Sequence, residues 1–259
     1  MINLKNLMLI KVFDKEEYAD SFIEKGEMKF TSTIKFWEYP DENYRRDRNE
    51  GLIRDRIKIP KEHSNSKISI PGMYGKVYGI DGLINAVREE IKSKTGEDVT
   101  VTHHGDLEVQ IDYYTKSFIY STFLVDSNFL SNNNLFQTLS SLGDYCVLFH
   151  GVILINELRS FIENKCVKFE HGPVKYVNDE YFAKERISSY NKHEMYKNQN
   201  EYRITFLPKE EYPELEYVFV SLGNISKIAQ KFTVEQFIDV VKETTQQVVN
   251  DLREKNKII

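Results

Sequence analysis

Short apolar runs separated by charged turns dominate the chain, and helical periodicity is confined to a few segments. The apolar run at residues 7–13 predicts a first strand. Tyr18 and Phe22 then lie four residues apart, which predicts a helix that ends at Gly26. Alternating apolar and polar residues at 28–37 predict a second strand. The chain is therefore expected to open with strand, helix, glycine and strand.

The later segments favour strands over helices. β-branched and aromatic runs predict strands at 99–102, 107–114, 117–125, 145–153, 166–169, 174–177, 202–207, 216–221 and 226–230. Helices are expected at 81–94, at 156–164 and at 233–255, where Thr233 and Gln236 have the spacing of a capping box. Phe237, Val241, Val248 and Leu252 form one apolar face of this C-terminal helix. Because strands and helices do not alternate regularly, we expect a single α+β domain over 1–259, with a twisted, mainly antiparallel sheet and flanking helices. Residues 38–76 are expected to form a long functional excursion from it.

Composition narrows the class of protein without indicating an activity. The 259 residues are 41% hydrophobic and 29% charged with a net charge of -5, which excludes a collagenous or disordered chain. The apolar stretch near the start is too short for a membrane helix, and the two cysteines form no C-x-x-C pair. We therefore expect a cytoplasmic protein that does not bind membranes.

Arginine is unevenly distributed along the chain. Half of the ten arginines lie within twelve residues, at Arg45, Arg46, Arg48, Arg54 and Arg56. Because Asp47, Glu50 and Asp55 are interleaved with them, one interpretation is a solvated loop with internal ion pairs. The other is an anion site, since guanidinium groups bind phosphates bidentately. In that hypothesis Arg45 and Arg46 bind the phosphates of a nucleotide, Tyr44 stacks on its base and Glu50 orders the loop.

Two short polar motifs flank predicted strands. Gln199-Asn200-Glu201 directly precedes one strand, and Thr31-Ser32-Thr33 lies within another. Hydroxyl groups and a carboxylate can orient a ribose through hydrogen bonds, and the carboxylate also stabilises positive charge that develops on the sugar. Either motif alone is also compatible with ordinary strand content.

The order of these motifs resembles the ADP-ribosyltransferase fold. Members of that superfamily have an Arg or His on the first strand, a hydroxyl or Tyr on the second, and a late Glu, often within Gln/Glu-x-Glu. The resemblance implies that Glu201, Gln199 and Ser32 are catalytic and that Thr31 and Thr33 bind the cofactor. The first-strand position is occupied by Lys11, which would also contact the cofactor. That cofactor would be NAD, used as a substrate.

A second resemblance covers more of the chain. The segments 18–26, 29–32, 45–51, 142–145 and 199–204 are similar to motifs of a group of bacterial and phage proteins suspected of roles in phage defence or toxin–antitoxin conflict. This resemblance adds Asp47 and Glu50 to the candidate site. It also implies a phage or antitoxin protein as a partner. Together the two resemblances predict an ADP-ribosyltransferase-like protein that modifies a nucleic-acid or protein acceptor.

Two other classes of function remain open at this point. Asp47, Glu50 and Glu201 have the composition of a carboxylate-based Mg²⁺ nuclease. A non-catalytic module that recognises a phage protein or a nucleotide signal is the second alternative. The histidines lack the spacing of a metal site, and we expect His103-His104-Gly105-Asp106 to form a turn.

Overall fold

A computed structural model of the chain describes residues 7–33, 35, 52–58, 85, 88–89, 92, 100–103, 108–114, 117–185, 187–209 and 215–256. The chain divides into two compact units. The first comprises residues 1–32, 118–174 and 195–259, and the second comprises 33–117 and 175–194. The predicted excursion at 38–76 lies outside the described residues except for 52–58.

The strands in chain order are β1 Met8–Phe13, β2 Glu27–Ser32, β3 Leu52–Lys58, β4 Thr100–His103, β5 Glu108–Tyr114, β6 Phe118–Leu124, β7 Tyr145–His150, β8 Cys166–Pro173, β9 Lys175–Val177, β10 Asn191–His193, β11 Glu201–Pro208, β12 Tyr217–Ser221 and β13 Ala229–Thr233. The helices that lie wholly within the described residues are α1 Glu16–Lys25, α2 Ser127–Leu130, α3 Leu135–Ser140, α4 Gly151–Ile162, α5 Asp179–Lys184 and α6 Val234–Asn256. A 3-10 helix covers Glu194–Gln199.

An eight-stranded sheet forms the first unit, and β6 lies at its centre. On one side β6 pairs with β11, which pairs with β8. Its other side is divided between two strands, because β2 pairs with its beginning and β1 with its end. The strands β7 and β13 continue the sheet from β1, and β12 continues it from β2. All of these pairs are antiparallel, which confirms the predicted α+β class and the mainly antiparallel sheet.

Each face of this sheet packs against its own helices. The first face carries Leu9, Phe30, Tyr120 and Tyr202, which belong to a core cluster completed by residues of α1 and α4. The second face carries Ile10, Phe123 and Cys146, which pack with residues of α2, α3 and α6. Because side chains alternate along a strand, adjacent residues of β6 and β11 lie on opposite faces.

Two local predictions at helix ends are confirmed. Gly26 follows α1 with φ of 58°, the left-handed conformation that glycine adopts without strain. At the start of α6, the backbone N–H of Gln236 donates to the Thr233 hydroxyl, and the Thr233 N–H donates to Gln236 Oε1. This reciprocal pair is the predicted capping box.

The boundary predicted between the strand at 145–153 and the helix after it is wrong. The strand expected at 145–153 ends at His150, and α4 begins at Gly151, five residues before the expected helix start. The Gly151 N–H donates to the Leu7 carbonyl, and a Cβ at Gly151 would lie within 2.9 Å of the Leu7 and Leu9 side chains. The apolar run continues through the junction, so periodicity alone does not reveal it.

The second unit contains a three-stranded antiparallel sheet, in which β5 lies between β3 and β4. It also contains the short parallel pair of β9 and β10, and the helix α5. Val177, Phe182 and Ile187 form a small apolar cluster in this unit. The helix predicted at 81–94 lies mostly outside the described residues, as do the side chains of Val248 and Leu252.

Candidate functional site

Glu201 begins β11, and its carboxylate contacts the side chains of Ser121 and Arg203. The Ser121 hydroxyl donates to Glu201 Oε1 over 2.6 Å, and Arg203 Nε donates to the same oxygen over 2.7 Å. Arg203 Nη2 lies 3.4 Å from Oε2. All three residues occupy the second face, because Glu201 and Arg203 are two residues apart and Ser121 is the register partner of Arg203. We call Ser121, Glu201 and Arg203 the Glu201 cluster.

The Glu201 cluster is a charged group in a largely buried position. Glu201 is 6% exposed and Arg203 is 1% exposed, whereas Ser121 is partly exposed. A buried carboxylate is tolerated only when a charge and hydrogen-bond donors compensate its lost hydration. Arg203 and Ser121 supply both, so the carboxylate is fixed in orientation before any ligand arrives.

The sequence predicted Glu201 but neither of its partners. The run Glu201-Tyr202-Arg203-Ile204 offered one signal, since a strand places the first and third of these residues on one face. No comparable signal pointed to Ser121, because its position beside Arg203 depends on the pairing of β6 with β11.

Asn200 fixes the start of β11. Its backbone is left-handed with φ of 40°, which is uncommon for a residue other than glycine. Its side-chain Nδ2 donates to the Leu124 carbonyl over 2.7 Å and to Asp126 Oδ1 over 2.8 Å. Asp126 Oδ1 in turn accepts from the Phe129 N–H at the beginning of α2. The middle residue of the predicted Gln199-Asn200-Glu201 motif therefore anchors the strand, while the partly exposed Gln199 ends the 3-10 helix.

The structure separates the hydroxyl motif by face. Ser32 is opposite Phe118 and lies on the first face, 5% exposed, whereas Thr31 is opposite Ile119 and lies on the second face. The register places the α carbons of Ser32 and Glu201 about 19 Å apart. Ser32 and Glu201 are therefore not brought together, because strand alternation directs them to opposite sides of the sheet.

Thr31 shares the second face with the Glu201 cluster. The same register places the Thr31 α carbon about 12 Å from that of Arg203 and about 16 Å from that of Glu201. A single ribose does not span the longer distance, but an extended dinucleotide does. Of the predicted hydroxyl residues in the first unit, Thr31 is thus the one on the same face as Glu201.

Lys11 is engaged on the first face. Its Nζ donates to the backbone carbonyl of Ser121 over 2.8 Å and lies 4.6 Å from the centre of the Tyr120 ring. The carbonyl belongs to the part of β6 between the residues that pair with β1 and those that pair with β2. Lys11 and Glu201 therefore bind the backbone and the side chain of the same serine from opposite faces, and the two charged groups do not share a pocket.

Thr33 is the remaining predicted site residue that the structure describes. Thr33 is fully buried, and its N–H donates to the Ser117 carbonyl over 2.9 Å. The positions of Tyr44, Arg45, Arg46, Asp47 and Glu50 are outside the described residues, so the nucleotide-binding loop stays a prediction. Of the clustered arginines, the side chain of Arg54 is described, and its Nη1 donates to the Phe182 carbonyl. The Arg54 backbone also exchanges two hydrogen bonds with Ile187.

A second polar chain reaches the first face from the protein surface. Tyr202 Oη lies 2.7 Å from His171 Nδ1, and His171 Nε2 lies 3.3 Å from Arg159 Nη2. Since a guanidinium only donates, Nε2 accepts, and the neutral imidazole carries its proton on Nδ1. Burial raises the pKa of Tyr202 to about 12. Burial, and then the Arg159 charge, lower the pKa of His171, so this chain is neutral apart from Arg159.

Within the part of the chain that the structure describes, no group of three or more His, Cys, Asp or Glu side chains is arranged to hold a metal ion. Two of the three carboxylates proposed for a nuclease, Asp47 and Glu50, lie outside that part. Among the described helices, none is long and apolar enough to span a bilayer. Comparison with known proteins finds no matching family model, no matching curated protein and no matching solved structure.

Proposed function

We propose that this protein is an ADP-ribosyltransferase-like enzyme that uses NAD and whose reactive centre is the Glu201 cluster. The observation that carries the proposal is the Glu201 carboxylate, which Ser121 and Arg203 hold on the sheet face shared with Thr31. A carboxylate with a fixed orientation costs no reorganisation when positive charge develops beside it.

The proposed chemistry is substitution at the ribose carbon that bears nicotinamide. The C1′–N bond breaks, its electron pair leaves with nicotinamide, and the ribose carbon gains positive charge in the transition state. Glu201 stabilises that charge and accepts a hydrogen bond from a ribose hydroxyl. An acceptor nucleophile, from a nucleic acid or a protein, then bonds to C1′ and loses its proton.

Other residues position the Glu201 carboxylate or bind the dinucleotide. Arg203 keeps the carboxylate in place and compensates its charge, since its Nε and Nη2 face the two carboxylate oxygens. Thr31 is assigned to the distal half of the dinucleotide, because of its distance from Glu201 along the sheet. Lys11 and Ser32 are not assigned to the reactive centre, since both lie on the first face.

Release of nicotinamide from NAD by the purified chain tests the proposal. We expect Glu201→Gln to lower the rate about 100-fold or more, because the amide no longer carries the charge that stabilises the transition state. Glu170→Gln is the matched control, since Glu170 lies on the same sheet face but forms an exposed ion pair with Lys168. Thermal unfolding of each variant separates loss of chemistry from loss of fold. Equal rates for the two folded variants would contradict the proposal.

A recognition module without catalysis is the second candidate, and the 6% exposure of Glu201 favours it, because structural ion pairs are buried in the same way. The two candidates differ in turnover. Nicotinamide release by the wild-type chain supports the enzyme. Saturable binding of NAD, measured by calorimetry, with no release of nicotinamide supports the recognition module.

A further inference from the structure

Ser121 and Thr122 are adjacent hydroxyl residues of β6 with different hydrogen-bond acceptors. The Ser121 hydroxyl donates to the Glu201 carboxylate over 2.6 Å. The Thr122 hydroxyl donates to the backbone carbonyl of Tyr202 over 3.0 Å. Since the two side chains lie on opposite faces, the same strand presents one hydroxyl to a base and one to a neutral acceptor.

Only the first of these contacts activates an oxygen nucleophile. A carboxylate within hydrogen-bond distance of a hydroxyl can remove its proton as the oxygen attacks an electrophile. A peptide carbonyl is too weak a base to do so. Arg203 Nε donates to the same oxygen of Glu201, so the base is held against Ser121 from its other side.

Ser121 is also the more accessible hydroxyl. It is partly exposed, whereas Thr122 is 3% exposed. Arg203, the register partner of Ser121 on β11, is 1% exposed. An electrophile that reaches the Glu201 carboxylate along the second face therefore meets the Ser121 oxygen.

We propose that Ser121 is itself an acceptor, so that the protein ADP-ribosylates its own chain at this residue. This inference rests on the proposed function. The Ser121 Oγ forms a bond to C1′ of the ribose, and the C1′–N bond to nicotinamide breaks. The bonding electrons leave with nicotinamide, and the hydroxyl proton passes to Glu201 Oε1 and then to water. The step requires no oxidant or reductant.

The test is to incubate the full chain with NAD labelled in its adenosine moiety and to map the label by peptide fragmentation mass spectrometry. We expect label on Ser121 in the wild-type chain. Ser121→Ala should abolish labelling of that peptide, because alanine has no oxygen that can bond to C1′. Ser121→Thr, which retains a hydroxyl and suits a strand, should retain the label. Thr122→Val is the matched control and should label as the wild type does.

The outcomes separate this inference from the proposed function. Nicotinamide release without label on the chain, or label only at other residues, overturns self-modification at Ser121 and leaves the proposed function in place. If neither nicotinamide release nor label on the chain is observed, the inference and the proposed function are both overturned. Mapping of the wild-type chain decides the question even where Ser121→Ala does not fold.

Discussion

The two faces of the strand pair β6 and β11 differ in chemistry although they share one backbone. The first face contributes Tyr120, Tyr202 and Ile204 to an apolar core. The second contributes the Glu201 cluster, in which a guanidinium and a hydroxyl both donate to one carboxylate. Since successive side chains of a strand point to opposite faces, neighbouring residues on one strand have unrelated roles. A residue's place in the sheet register therefore decides which face it occupies, and so whether it can belong to the candidate site.

Removing the charge partner of Glu201 should have the largest effect on stability. We expect Arg203→Ala to lower the free energy of unfolding by about 3–5 kcal/mol, because it removes the Arg203 counter-ion from a buried carboxylate. Lys168→Ala should cost less than about 1 kcal/mol, because the Lys168–Glu170 pair is exposed. Urea denaturation measures both values. Similar small losses in the two variants would show that the second face is hydrated like an ordinary surface.

The tyrosines of the first face provide a second test. Tyr202→Phe should cost about 1 kcal/mol, because it removes the hydrogen bond to His171. Tyr120→Phe should be neutral or slightly stabilising, because the buried Tyr120 hydroxyl has no hydrogen-bond partner among the described residues. Thermal unfolding of the two variants makes the comparison. A larger loss for Tyr120→Phe would mean that the first face contains a polar contact that the structure does not show.

The sequence predicted the features that depend on residues close together in the chain, and it missed a boundary that depends on distant ones. Gly26 and the Thr233–Gln236 capping box depend on residues within one helical turn, and both were predicted correctly. The start of α4 at Gly151 was not predicted correctly, because the apolar run there continues unbroken from strand to helix. Such a boundary is set by packing against Leu7 and Leu9, which are distant in sequence.

The candidate site was also predicted only as far as residue type and order allow, without the pairing of the strands. Glu201 and the hydroxyl motif were found from residue type and order, but the choice between Thr31 and Ser32 depends on which of them is opposite Ile119 of β6. A shift of one residue in register exchanges the two faces. Ser121 became part of the site only through the pairing of β6 with β11, and no local pattern carries that information.

A smaller effect is expected in the pH dependence of stability. Burial and the Arg159 charge lower the pKa of His171 below 6.5 in the folded chain. The unfolded chain therefore takes up the proton first as the pH falls. The contribution of His171 to stability is complete above about pH 6.5 and declines as the pH falls toward the lower folded-state pKa.

His171→Gln should remove this part of the pH dependence. We expect urea denaturation between pH 7.5 and 5.5 to show a shallower loss of stability in the variant than in the wild type. Other titrating groups are common to both chains, so the difference isolates His171. Identical slopes would show that His171 is equally easy to protonate in the folded and the unfolded chain.

The comparison of Thr31→Val with Ser32→Ala tests most directly the claim that the second face is the reactive one. These adjacent residues of β2 lie on opposite faces, and each substitution removes one hydroxyl. In an assay of nicotinamide release from NAD, we expect Thr31→Val to lower kcat/KM about tenfold, the value of one hydrogen bond to the ligand, and Ser32→Ala to leave it unchanged. The reverse result, a loss for Ser32→Ala and none for Thr31→Val, would contradict the assignment and place the reactive centre on the first face.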